Sequence, residues 1–209
     1  MEMNTLMHAS RKRQKGSMLV EFVLVMALVM VPLLLGTMVV GFNLIRSIQV
    51  NQINRDAGHM YARGVDFSSD TNGLIDRSII YQMAPQLKIT TSSGLEVMVL
   101  SDIEYVGSTT CTGCANLNHY VFLQQITLGN SALRASDFGT VAASSMLADG
   151  SGTVINPLTD TTVRADPFGH ILTLADGQAA QVSETYYNST DFDIPGYLNA
   201  SGVYARAIF

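Results

Sequence analysis

The sequence predicts an α+β protein in which a long N-terminal transmembrane helix continues as an amphipathic helix packed on an antiparallel β-sheet head. Three observations predict it. The run from Met18 to Ile45 holds one charge, Glu21, and one amide, Asn43. Beyond it, Ile45, Gln49, Ile53, Ala57, Met60 and Gly64 recur every three to four residues, the period of a helix with one apolar face. Further on, Leu95 to Val106 and His119 to Gly129 alternate and are rich in branched and aromatic residues, as strands do. The chain then divides into a basic leader (1–16), a transmembrane helix (17–45), an amphipathic extension (46–64) and an extracytoplasmic α+β head (65–209).

The N-terminal segment is set by charge. Arg11, Lys12, Arg13 and Lys15 form a block directly before the apolar run, while Glu2 is the only acid in the first sixteen residues. About 20 apolar residues cross a hydrocarbon core, so Met18 to Ile45 is long enough to span it. Pro32 lies inside the run, where a membrane helix tolerates a kink. Basic residues flanking a span stay on the cytoplasmic side, which makes the block a cytoplasmic anchor and sends the head outward. A cleaved secretory signal would have a shorter apolar region ending in a small-residue site, and the Asn43-Leu44-Ile45-Arg46 continuation lacks one.

In the head, a second helix is expected from Leu74 to about Met83, opened by a turn at Asp70 to Gly73 and stopped by Ala84-Pro85. The two alternating segments read as an antiparallel pair. A further pair is expected at Ile171 to Leu174 and Ala180 to Tyr187, joined by a turn at Ala175-Asp176-Gly177, and a last strand at Val203 to Ile208. Residues 131–166, rich in Ser, Thr, Gly and Ala without a clear period, read as loop with at most short strands.

Composition narrows the function classes. Charged residues are 14% and hydrophobic ones 47%, below the usual quarter of charged residues and in keeping with a chain partly solvated by lipid. Without residues 1–16 the totals of 12 basic and 17 acidic side chains fall to 8 and 16, a formal charge of −8, with Lys88 the only lysine. Such a head has no nucleic-acid footprint. Cys111-Thr112-Gly113-Cys114 supports thiol exchange when it caps a helix, but here it joins two strands, and an oxidising compartment favours a static disulfide; redox activity, a metal or free thiols are the alternatives. His119 alone does not complete a zinc site. Asp70-Thr71-Asn72-Gly73 lacks the glutamate of a calcium loop, because Ile79 stands there; Asp191 and Asp193 could hold a cation such as calcium, although two carboxylates alternating along an extended segment more often face water. The glycosylation patterns at Asn188 and Asn199 read as chance matches. His8, His59, His119 and His170 are scattered, and no catalytic constellation, metal cluster or cofactor motif stands out.

Glu21 stands five residues after Gly16, at the start of an apolar helix where a carboxylate is costly without a partner. A cut after Gly16 would create an α-amino group on Ser17, one helical turn and about 6 Å from Glu21, giving that partner within a subunit or between packed neighbours. Gly16-Ser17-Met18-Leu19-Val20-Glu21-Phe22 resembles the prepilin peptidase site of type IV pilin-like proteins. The continuation through the span and residues 49–64 is similar to TadE-like pseudopilins of tight-adherence (Tad) pilus systems, as is the tail from Leu174 to Gly196 with Val203 to Phe209. The resemblance implies a pilin-like fold and a non-enzymatic minor pilin, cleaved after Gly16 by prepilin peptidase. Its partners would be other pilin and pseudopilin subunits, the inner-membrane assembly platform and membrane lipid, in assembling an adhesive surface pilus. Two other readings remain: an unprocessed single-span protein whose head binds a ligand or envelope partner, and a membrane-tethered thiol oxidoreductase.

Overall fold

The computed structural model describes the backbone of residues 3–68, 73–83, 85, 89, 93–188 and 202–209, and the side chains of these from residue 18 onward apart from Leu74 and Ile75. Helix α1 runs from Met3 to Ala62 and continues through Pro32. Helix α2 spans Gly73–Met83. Four strands follow, β1 (Glu96–Val106), β2 (His119–Gly129), β3 (Ala179–Tyr187) and β4 (Val203–Ile208), in one antiparallel sheet of order β2-β1-β3-β4. By its contacts the chain forms two compact units, 1–45 and 46–209.

In the first unit, the described large apolar side chains of α1 are exposed to the surroundings, from Met18 and Leu28 to Val40 and Leu44, with only Val39 partly covered. From Met18 onward α1 is long and apolar enough to cross a membrane. A helix apolar on every side is compatible with a membrane span.

In the second unit, residues 46–62 of α1 lie on one face of the sheet. Val50, Ile53, Ala57 and Tyr61 join Met98, Leu100, Ile126, Leu128, Tyr187 and Ala205 in a buried cluster that also takes in Phe67 and Ile80. The buried stripe includes Asn54 and Gly58, whereas the expected face began at Ile45, which is exposed. Asn54 is tolerated there because its Oδ1 accepts hydrogen bonds from the hydroxyls of Ser183 (2.8 Å) and Thr185 (2.9 Å). Gly58 is required because a Cβ would come within 2.3 Å of the Phe209 ring and 3.0 Å of Ser183 Cβ. The helix stops two residues before the expected Gly64. The Val65 amide donates to the Met60 carbonyl and the Gly64 amide to the Tyr61 carbonyl, with Gly64 at φ +81°: a Schellman ending in which Gly64 terminates the helix.

The other face of the sheet is covered by chain without regular elements. Phe138, Val141, Val154, Val163 and Phe168 pack with Ile103, Phe122, Ala180 and Val182. Residues 131–166 contain short 3₁₀ turns at Ala143–Ser145 and Thr161–Val163 and isolated bridges such as Gln124 to Thr153, so the irregular segment builds a second core layer. The buried Glu184 of β3 ties this layer down, accepting from the Ser136 hydroxyl, the Asp137 amide (3.1 Å) and the Tyr204 hydroxyl (2.6 Å).

β1, β2 and β4 lie where the alternation predicts them, and α2 begins one residue early. The expected strand at Ile171 to Leu174 does not form. Ile171 and Leu172 are exposed and follow a 3₁₀ turn, Asp166–His170, that already uses the Phe168 carbonyl for their amides. β3 instead pairs with β1 (Glu96 to Tyr187 through Glu104 to Ala179) and with β4. The turn at Asp176-Gly177 does form, with Gly177 at φ +74°. The Asp70 to Asn72 turn, Ala84, Lys88 and Asp191 to Asp193 lie outside the described residues, as do Asn199 and the serine and threonine that follow Asn188.

Candidate functional site

Three places carry chemistry: the start of α1, the cysteine loop and a cavity at the end of α1. At the first, Gly16 and Ser17 are both in α1, and the basic residues Arg11, Lys12, Arg13 and Lys15 belong to the same helix. Cutting after Gly16 requires that turn to unwind, and glycine is the residue that leaves a helix at least cost. Glu21 is exposed one turn further on, and no described residue forms an ion pair or hydrogen bond with it.

The second place is the β1–β2 connection. Cys111 and Cys114 are paired, with Cα atoms 6.0 Å apart. No helix begins there, so the dipole that lowers a thiol pKa in C-x-x-C oxidoreductases is missing from this loop. The loop is held from outside by Asp176. Its carboxylate accepts from the Gly107 amide (2.7 Å), from the amide and hydroxyl of Thr109, and from the Thr110 amide (3.3 Å) and hydroxyl (2.7 Å). The Thr109 and Thr110 hydroxyls hold that carboxyl well below the usual carboxylate range. Gly107 makes room, since a Cβ would meet the Asp176 carboxyl carbon at 2.4 Å. Beyond the disulfide, buried Asn116 donates to the carbonyls of Pro157 (2.8 Å) and Asp160 (2.7 Å) and accepts from Arg164 Nε (2.8 Å). His119 pairs with Asp166 (3.0 Å), and among the described residues no group of three His, Cys, Asp or Glu converges on one point.

The third place has no counterpart in the sequence motifs. A cavity of about 320 Å³ opens between the C-terminal turn of α1, the segment after it and the β1–β2–β3 surface. Its polar lining is Tyr61, Asp66, Asp102, Gln124 and Gln181, over apolar walls that include Phe67 and Ile126. The Tyr61 hydroxyl donates to Gln124 Oε1 (2.7 Å), and Gln124 Nε2 donates to the Ser151 carbonyl (2.8 Å), which fixes the amide. Burial, then the Asp102 charge, pushes the Tyr61 hydroxyl up. Burial, then Glu104, raises the Asp102 carboxyl, and one of its oxygens is buried with no hydrogen-bond partner among the described residues. Asp66 accepts from the Ser68 amide (2.8 Å) and hydroxyl (3.0 Å). One signal for this site was present in the sequence: residues 96, 98, 100, 102 and 104 share a strand face, and acids stand at three positions of a face that buries Met98 and Leu100.

No family model, curated protein or solved structure matches the chain.

Proposed function

We propose that the chain is a membrane-anchored, pilin-like subunit of the TadE kind that takes part in assembling a Tad-type adhesive pilus. Prepilin peptidase cuts after Gly16, and Ser17 becomes the N-terminus. The observation that carries the reading is the start of α1, where Glu21, without a partner among the described residues, stands five residues after Gly16, at the head of a stretch whose large apolar side chains are exposed but for Val39. A helix of this kind has two uses for its surface: lipid while the subunit waits in the inner membrane, and neighbouring helices once it is in a fibre. In the membrane the basic block stays cytoplasmic and the head faces outward. In the fibre the Glu21 carboxylate neutralises the Ser17 amine of its own or an adjacent subunit, an interaction made strong by the apolar surroundings. The role requires no catalysis.

The test is Glu21→Ala in cells that make the pilus. Membrane insertion is expected to persist and fibre formation to fall strongly; normal fibres from this variant would remove the charge-pairing step.

A second reading is an unprocessed single-span protein whose head captures a ligand. The polar cavity at the end of α1 favours it, and the two readings part at the N-terminus, which stays intact only in the second.

A further inference from the structure

The cavity beside Tyr61 is built for a positive group. Among the described residues, two carboxylates, Asp66 and Asp102, line it, and no lysine, arginine or histidine does. Asp102 is half-buried, and burial, then Glu104, raises its carboxyl, so a cation beside it would favour the charged form. Gln124 is fixed at both ends of its amide, so its Oε1 is presented as an oriented acceptor beside the Tyr61 ring. A bare metal ion suits this space poorly. It would need six or more oxygens converging at about 2.4 Å, and the described residues bring no three acidic or imidazole groups together.

We propose that this cavity binds a guanidinium group. The planar cation carries five donors and is weakly hydrated, which matches acceptors spread over a cavity lined by Tyr61, Asp66, Asp102, Gln124 and Gln181. Asp102 takes the charge, and Gln124 Oε1 accepts an N–H. The volume lies at the small end of ligand sites and suits one side chain or one small molecule. The group could come from a free guanidinium compound or from an arginine of a protein neighbour. The inference does not depend on cleavage after Gly16.

Titration of the full chain in detergent micelles, followed calorimetrically, tests it with three probes: free L-arginine, the capped peptide acetyl-Gly-Arg-Gly-amide, and the same peptide with citrulline, the neutral isostere of arginine. Saturable binding is expected for at least one arginine probe, weakened about tenfold or more by citrulline and by Asp102→Asn. Binding of free arginine alone identifies a small-molecule site, and binding of the peptide identifies an arginine side chain as the occupant. Equal binding of citrulline, or no saturable binding of either arginine probe, overturns the proposal. The citrulline comparison uses the unaltered protein and holds even if the variant does not fold.

Discussion

One helix meets two different surroundings. Over residues 18–45, α1 leaves its large apolar side chains uncovered, and over 46–62 the same helix buries Val50, Ile53, Ala57 and Tyr61 against a sheet. The first stretch is apolar on all sides and carries little sequence information about which face points where. The second is polar except for one stripe, and each buried position has a particular neighbour. Sequence changes therefore act on solvation in the first stretch and on packing in the second.

The largest expected contrast comes from a charge. Ala57→Asp buries a carboxylate where no space or partner exists and is expected to cost the head roughly 4 kcal/mol or more in denaturant unfolding. Leu28→Ala in the bare stretch should leave that transition where it is. A head that tolerates Ala57→Asp would show that 46–62 is not packed on the sheet.

Next comes pH. Glu96, at the start of β1, is fully buried, neither of its oxygens has a hydrogen-bond partner among the described residues, and burial pushes its carboxyl up to about 8. The folded state then holds a proton that the unfolded state releases in the ordinary carboxylate range. The stability linked to that proton is fully present below the ordinary range and is lost as pH rises through about 8. Glu96→Gln should flatten the decline between pH 5 and 8 and give the more stable protein at pH 8; an unchanged pH profile would show that Glu96 finds a partner.

Smaller effects sharpen the comparison. Asn54→Ala leaves the Ser183 and Thr185 hydroxyls without their shared acceptor and should cost about 1–3 kcal/mol. The glycines of α1 should split by position. Gly58→Ala is expected to destabilise the head by about 1–2 kcal/mol, because its Cβ would press on Phe209 and Ser183. Gly36→Ala and Gly41→Ala meet nothing within 4 Å and should be neutral in the isolated chain. Thermal or urea unfolding in micelles separates these cases.

The sequence made local features legible and left non-local ones hidden. The β1–β2 pair and β4 could be read because alternation and branched side chains are local signals, and Met18 to Ile45 because lipid demands uniform apolarity. The stripe on 46–62 could be read at Ile53, Ala57 and the partly buried Met60, but not at Val50 or Tyr61. Asn54 and Gly58 look unfit for a core until Ser183, Thr185 and Phe209 are brought to them from β3 and the far end of the chain. Ile171 to Leu174 has strand-like composition, but its neighbours bind it into a turn. The pairing of β3 between β1 and β4 has no local mark. For the same reason Gly16 and Glu21 stand out in the sequence, being five residues apart, whereas Tyr61, Asp102 and Gln124 become a site only after folding.

The central claim is that α1 begins, in the mature protein, at Ser17. Intact-mass measurement on protein extracted from the membranes of cells with active prepilin peptidase tests it most directly. A chain lacking residues 1–16 is the predicted result, and a chain that still begins at Met1 in those cells would contradict it.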